Sequence, residues 1–217
     1  MLSRKRTGDH VIRTLVAMLG LSLAGVCSAQ TVYVQNFESG NLPSEWSGAG
    51  SVQSSQGLFA FGAFGQWQLR NSTPASSVLS LADLPAHTSV SLTFSLAAWD
   101  GLNAATDRFT VRVDGTQALS SALGGGVGPG ASVLMPVINF GYGSGVDYAF
   151  VVSLTVPHSS STLTLEFANA SAGTNNGSIG LDNVSISVSS VPEPSALVLG
   201  GLGLFSVLRH RKRSSVR

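Results

Sequence analysis

The segment between residues 30 and 190 has few side chains that could act as nucleophiles or bases. It contains no cysteine and no lysine, and its only histidines are His87 and His158. Nucleophilic catalysis needs a base within hydrogen-bond reach of the attacking group, and a third group that orients the base. Each histidine follows a proline-containing turn, and neither has a partner near it in sequence. We therefore expect two loop residues without a catalytic role.

Carboxylates are the other reactive groups, and they make this segment acidic. The whole chain has a formal net charge of +1, but only three arginines lie between residues 30 and 190, against nine acidic residues, which gives 3 − 9 = −6. Such a segment has no basic face for phosphates, which argues against nucleic acids and anionic membrane surfaces as partners. Divalent cations are its natural counter-ions. The nine residues are Glu38, Glu45, Asp83, Asp100, Asp107, Asp114, Asp147, Glu166 and Asp182.

Two of these carboxylates, Asp100 and Asp107, are close enough in sequence to form a candidate metal site. Asp100 precedes Gly101 and suits an Asp-Gly turn equally well. A pair of carboxylates of the glycosidase type also remains open on composition, although placement in turns argues against it.

Three tryptophans, Trp46, Trp67 and Trp99, are candidates for stacking on sugar rings. A buried tryptophan belongs to the core, whereas an exposed one offers a flat apolar face with a polar edge. Exposure therefore decides which of them is a glycan platform.

Alternation of apolar and polar residues is the main structural signal between residues 30 and 190. It is clearest at residues 90–96, 109–113, 150–156 and 163–167, and the segments between them carry Asp-Gly, Gly-Gly and Asn-Gly turns. Aromatic and leucine residues between 33 and 69 suggest further strands. Helical periodicity is absent, so we predict an all-β domain: an antiparallel two-sheet β-sandwich, a jelly roll. A long loop is expected at residues 120–145, with one strand at 133–140.

The N-terminus predicts a cleavable signal peptide over residues 1–29, recognised by signal peptidase. A basic region with Arg4, Lys5 and Arg6 precedes an apolar run at residues 14–26, followed by Cys27-Ser28-Ala29. The run is short for a membrane span, and we expect a signal helix that is removed. Cys27 raises the alternative of a lipoprotein, but Val26 is larger than the small residue wanted before a lipidated cysteine.

The C-terminus, residues 191–217, has three parts in order. Pro192-Glu193-Pro194 comes first, an apolar run at residues 196–208 follows, and a basic cluster comes last. The apolar run has no polar face, and it predicts a short apolar helix. An apolar run followed by positive charge is a stop-transfer arrangement, with the C-terminus held inside. The basic residues of the cluster are Arg209, Arg211, Lys212 and Arg213.

This arrangement resembles the PEP-CTERM sorting signal. The resemblance implies recognition by an exosortase, transient anchoring in the inner membrane, cleavage near the Pro-Glu-Pro element, and then release to the cell surface or outside the cell. It also implies a cell that makes exopolysaccharide.

Residues 30–190 resemble concanavalin-like, MAM-like and carbohydrate-binding-module jelly rolls at three places. Asn36-Phe37-Glu38-Ser39-Gly40 with Trp46 is similar to their first-strand element. Trp99-Asp100-Gly101, with the Asp107 to Gly115 strand, and Gly180-Leu181-Asp182-Asn183-Val184 resemble a middle and a last strand. These families often carry an acidic and aromatic cluster before the last strand, where this chain has residues 175–178, Asn-Asn-Gly-Ser.

In such sandwiches the first and last strands are neighbours, which would bring Glu38 close to Asp182. Two carboxylates with loop carbonyls would suit Ca²⁺, which binds several oxygens at about 2.3–2.6 Å. The apolar residues before and after Asp182-Asn183 have opposite parity, which predicts a β-bulge there. Solvated turn carboxylates are the alternative. Ca²⁺ is the only cofactor that the sequence suggests.

Three functions follow from these observations. The first is an exported, exosortase-sorted surface or matrix protein, non-catalytic and associated with exopolysaccharide. The second is a calcium-supported carbohydrate-binding module, and the third is a glycan hydrolase. Polar residues converging beside an exposed tryptophan would favour the second.

Overall fold

The computed structural model describes residues 28–100, 102, 105–123, 131–133, 139, 142–143, 145–170 and 177–190. Within it, Ala29–Ser190 forms one compact unit. The predicted signal helix and the C-terminal apolar helix lie outside the described residues, except for Ser28 and Ala29. No helix in the described part of the chain has the length and apolar character to cross a membrane.

One of two antiparallel sheets has seven strands, numbered with the others in chain order. The long strand β12 lies between β4 and β6, while β10 follows β6 and β9 lies at the edge; β1 also pairs with β12, and β3 with β4. These strands are β1 Ala29–Gln35, β3 Ser51–Ser54, β4 Trp67–Asn71, β6 His87–Trp99, β9 Ala131–Val133, β10 Tyr148–Pro157 and β12 Ser178–Ser190.

The second sheet has five strands, in the order β2-β5-β11-β7-β8. Its strands are β2 Trp46–Gly48, β5 Ala75–Leu81, β7 Arg108–Val113, β8 Thr116–Ala122 and β11 Leu163–Asn169. Every pair in both sheets is antiparallel. The prediction of an all-β chain with two antiparallel sheets is confirmed.

The inner faces of the two sheets share one apolar core. Phe94 of β6 contacts two rings of the other sheet edge-on, Phe109 at 5.7 Å and Phe167 at 5.4 Å between centroids. Trp46 of β2 stacks on Phe167 at 5.6 Å. Full burial of one such side chain is worth about 1.5–3 kcal/mol, and the contacts of Phe94 join the two sheets directly.

The segment Leu58–Phe61 is a 3-10 helix, not one of the strands suggested for this region. Gly57 and Gly62 flank it with φ angles of 98° and 72°, a left-handed backbone that breaks strand pairing on both sides. Leu58 is buried in a small second cluster with Phe64 and Trp99. This cluster explains why apolar residues occur here without a strand.

The four alternating segments form β6, β7, β10 and β11 as predicted. The strand expected at residues 133–140 starts earlier, because β9 spans Ala131–Val133, and residues 134–138 and 140 lie outside the described part. β9 pairs with β10 through Val133 opposite Phe150.

Candidate functional site

The first and last strands are neighbours, and the predicted bulge is present. β1 pairs with β12 from Ala29 opposite Ser189 to Gln35 opposite Val184. The register between β12 and β6 shifts between Asp182 and Ser185, and Asn183 has a φ of 48°. Because a bulge changes the direction of the side chains beside it, Asp182 is free of the regular alternation.

Asp182 is completely buried, yet its carboxylate accepts two backbone hydrogen bonds. The N–H of Gly65 donates to Oδ2 at 2.7 Å, and the N–H of Asn183 donates to Oδ1 at 2.6 Å. Burial, with a smaller contribution from the charge of Glu38, raises the pKa of Asp182 to about 7 against the lowering effect of these two bonds. A nearby cation would stabilise the ionised form of such a carboxyl group.

Glu38, three residues after the end of β1, approaches the loop before β4 that contains Gly65. Phe37, which is fully buried, has a φ of 56°, so the chain turns sharply just before Glu38. Glu38 Oε1 accepts the backbone N–H of Trp67 at 3.1 Å. A Cβ built on Gly65 would lie 1.9 Å from Glu38 Oε1, which shows how closely this carboxylate approaches the loop backbone.

Glu38 and Asp182 therefore converge on Gly65, one through side-chain contact and the other through a hydrogen bond. Their oxygens are the ligand type that Ca²⁺ prefers. No group of three or more His, Cys, Asp or Glu side chains that could hold a metal occurs in the described ranges. The donor type thus fits calcium, and the remaining ligands of a bound ion would have to be backbone carbonyls and water.

Asp100, one of the two remaining predicted ligands, contacts Asp147, which was not predicted as a ligand. Its N–H donates to Asp147 Oδ1 at 2.7 Å, and its Oδ2 lies 4.0 Å from Arg70. Burial raises the pKa of Asp100 and the Arg70 guanidinium opposes that rise. Asp107 is buried and accepts the Thr106 hydroxyl at 3.3 Å. Asp147 could have been found only from the pairing of β6 with β10.

Arg70 connects several strands near Asp100. Its Nε donates to Ser178 Oγ at 2.7 Å and its Nη1 to Gln53 Oε1 at 3.2 Å. Its guanidinium lies 3.8 Å above the centroid of the Tyr142 ring. These contacts give the arginine a structural role at this end of the seven-stranded sheet.

Of the three tryptophans, only Trp67 is exposed, with 38% of its surface accessible. The stacking prediction is wrong for Trp46 and Trp99, which expose 4% and 0%. Trp46 packs between Phe37 and Phe167, and its indole N–H donates to the Tyr33 hydroxyl at 2.7 Å. Because both rings are needed for packing, neither can offer a face to a ligand.

Trp99 is held on the other side of β6, in the small cluster with Leu58 and Phe64. Its ring meets Tyr142 edge-on at 5.1 Å.

The expectation that the two histidines stand alone is wrong. His87 Nε2 and His158 Nδ1 share a hydrogen bond at 2.7 Å, and their rings stack with an angle of 12°. His87 Nδ1 donates to the Pro85 carbonyl at 2.6 Å, and His158 Nε2 lies within hydrogen-bond distance of Asp114 Oδ2, at 2.9 Å. All four ring nitrogens are engaged, so neither ring has a nitrogen free to act as a base.

The pair could have been found only from the register of β6 with β10. β6 begins at His87 and β10 ends at Pro157, and in an antiparallel pair these two ends meet. His158 follows Pro157 directly.

The family comparison concerns the tail. Residues 190–212 match the PEP-CTERM protein-sorting motif. The chain carries a PEP-CTERM sorting signal. The match includes Pro192, Glu193, Pro194 and the first three basic residues of the cluster, and the motif implies export and processing by an exosortase. Arg213 lies just beyond it. These residues are outside the described part of the structure.

Several solved structures are similar to this chain at low identity. The K3 cleaved adhesin domain of Lys-gingipain from Porphyromonas gingivalis has a TM-score of 0.45 and 16% identity, over 74% of this chain and 99% of that one. A family 35 carbohydrate-binding module from an environmental isolate has a TM-score of 0.43 and 15% identity, over 74% and 95%.

A third is the CBM22-1 xylan-binding domain of Paenibacillus barcinonensis Xyn10C, with a TM-score of 0.41 and 16% identity, over 76% and 99%. No curated protein matches the sequence.

Proposed function

We propose that this PEP-CTERM chain is a surface protein whose jelly-roll domain binds exopolysaccharide without cleaving it. The site is the exposed side chain of Trp67 together with Glu38, which binds the Trp67 backbone N–H, and calcium supports it through Glu38 and the buried Asp182. The observation that carries the proposal is the direct backbone link between Trp67 and Glu38.

The position of Trp67 suits a sugar platform. It is the first residue of β4, and its indole ring lies over Gly40, where a Cβ would be 3.8 Å from ring carbon Cε2. Gly40 places no side chain against the ring, and the backbone N–H of Trp67 is fixed on Glu38. A flat apolar face next to a carboxylate matches a sugar, which presents C–H groups on one face and hydroxyls at its rim.

Calcium would support this site through the same carboxylate. Two carboxylates that share a loop repel each other, and burial already disfavours the ionised form of Asp182. A bound cation would stabilise both negative charges and hold the Gly65 to Trp67 segment in place.

Hydrolysis is disfavoured by burial. A glycosidase needs two carboxyl groups that both reach the scissile bond, at separations of about 5–9.5 Å. Asp182 is completely buried, so it cannot act on a bound polymer. With the histidine nitrogens engaged as well, binding is the activity that the site chemistry favours.

Isothermal titration calorimetry tests the proposal, because its signal does not depend on the tryptophan that the variants replace. The purified protein is titrated with short neutral oligosaccharides, with calcium and with EDTA. Trp67→Phe, which keeps an aromatic ring, should retain binding, whereas Trp67→Ala should lose it. Equal binding by Trp67→Ala and the wild type would overturn the proposed site.

A further inference from the structure

The outer face of the seven-stranded sheet carries a row of small uncharged side chains across four strands. Val34 of β1 lies opposite Ser185 of β12, Ser185 opposite Thr93 of β6, and Thr93 opposite Ser153 of β10. The Thr93 and Ser153 hydroxyls are 3.2 Å apart. Val34 exposes 66% of its surface, which is unusual for a valine in a sheet.

A second row lies two residues away along β12, β6 and β10, and three residues away along β1, where the register shifts between Thr31 and Tyr33. Thr31, Ser187, Ser91 and Thr155 follow one another across the same four strands. The Ser91 and Thr155 hydroxyls are 2.8 Å apart.

A third hydroxyl pair continues the pattern towards the strand ends. Ser89 and Ser189 are joined at 2.7 Å. Strand alternation sends the residues between the rows, such as Leu92 and Ile186, into the core, so the hydroxyls all lie on the outer side. We call this surface the hydroxyl face.

The hydroxyl face is neutral on an acidic domain. None of its rows contains a charged side chain, although the segment around it has a net charge of −6, from three arginines and nine acidic residues. Each hydroxyl has one donor and two acceptor positions, so a bonded pair keeps one donor and three acceptors. The surface therefore suits a neutral partner rich in hydrogen-bond donors.

The size of the face argues against a protein partner. Three interstrand spacings and three rows make a patch of about 14 Å by 14 Å, or roughly 200 Å². A stable protein interface buries about 800 Å² on each partner. A polymer of small repeating units fits better, because contacts too weak alone add up along one chain.

We propose that the hydroxyl face is a second carbohydrate-binding surface, specific for neutral polysaccharide chains. The inference rests on the proposed function, which it extends to a separate place on the domain. Trp67 lies on the side of β4 shared with buried Leu69, so strand alternation puts its ring on the other side of the sheet from the hydroxyl face. Two such surfaces would let one molecule hold neighbouring polymer chains.

Affinity electrophoresis of the purified protein tests this inference, in gels containing dextran, xyloglucan or galactomannan, with alginate as the acidic comparison. The test variant is Thr93→Lys with Thr155→Lys, both exposed positions. Ser80→Lys, on an exposed residue of the five-stranded sheet, is the matched control. We expect the double variant to bind a neutral polymer about tenfold more weakly, and Ser80→Lys and Trp67→Ala to remain retarded.

Thr93→Val, which keeps the shape and removes one hydroxyl, should give an intermediate loss. If the double lysine variant is retarded like Ser80→Lys, the hydroxyl face is not a binding surface. If Trp67→Ala alone abolishes retardation, the inference fails while the proposed function stands. No retardation of the wild type in any neutral gel also overturns the inference, and the oligosaccharide titration then decides the proposed function separately.

Discussion

The backbone N–H of Gly65 donates a 2.7 Å hydrogen bond to Asp182 Oδ2, across 117 residues of chain. This bond ties the loop before β4 to the bulge in β12, and the loop in turn carries Trp67. The position of the exposed ring therefore depends on a carboxylate that is itself fully buried.

Gly65→Ala should displace Glu38. The new Cβ would lie 1.9 Å from Glu38 Oε1, so the glutamate must move and its bond to the Trp67 N–H is lost. We expect a loss of about 1 kcal/mol in the free energy of unfolding, measured by urea denaturation. In a protein that already carries Glu38→Ala, the same substitution should lower the free energy of unfolding clearly less. Equal costs in both backgrounds would show that the glutamate is not the group displaced.

Asp182 should make stability depend on pH. Its pKa rises from an ordinary value of 3.8 when unfolded to about 7 when folded, so between these values the folded state binds the proton more tightly. The contribution of this group to stability is present at low pH and is lost as the pH rises towards 7. The free energy of unfolding of the wild type, minus that of Asp182→Asn, should therefore fall from pH 4 to pH 7. A difference that stays flat or rises would contradict the burial of an unpaired carboxyl group.

Calcium should raise the midpoint of thermal unfolding, and more so at pH 8 than at pH 5, because Asp182 must lose its proton to bind the ion. Glu38→Gln and Asp182→Asn should each remove most of the shift. Asp83→Asn is a control with a carboxylate outside the pair. No shift in the wild type, compared with excess EDTA, would remove calcium from the proposed site.

The histidine pair should contribute to stability. His87→Phe leaves His158 Nδ1 without its partner, and a buried polar group in that state costs about 1–3 kcal/mol. Asp114→Asn keeps an oxygen beside His158 Nε2 and should lower the free energy of unfolding, measured by urea denaturation, by less than His87→Phe does. A loss for Asp114→Asn as large as that for His87→Phe would contradict this order.

Much of the sheet architecture was predictable, because alternation is a local signal. The strands β6, β7, β10 and β11 bury the alternating apolar side chains that predicted them, and the parity change at Asp182-Asn183 marked the bulge. Contacts between distant segments were harder to predict. The sequence does not show that Trp46 and Trp99 fill the core, since burial depends on which rings face each other across the two sheets.

The candidate site was also predictable only in part. The proximity of Glu38 and Asp182 could be expected once the first and last strands were taken as adjacent. The part played by Gly65 could not, because a glycine contributes no side chain and its importance lies in a backbone N–H and a missing Cβ. The His87–His158 pair and Asp147 depend on the register of β6 with β10, which alternation alone does not set.

The most direct test of a non-catalytic carbohydrate-binding domain is light scattering after size exclusion, on a neutral exopolysaccharide incubated with the purified protein and calcium. We predict a complex with the wild type, unchanged polymer length after prolonged incubation, and a weaker complex with Trp67→Ala. A shortened polymer would show that the chain is a hydrolase, and the absence of any complex would contradict carbohydrate binding.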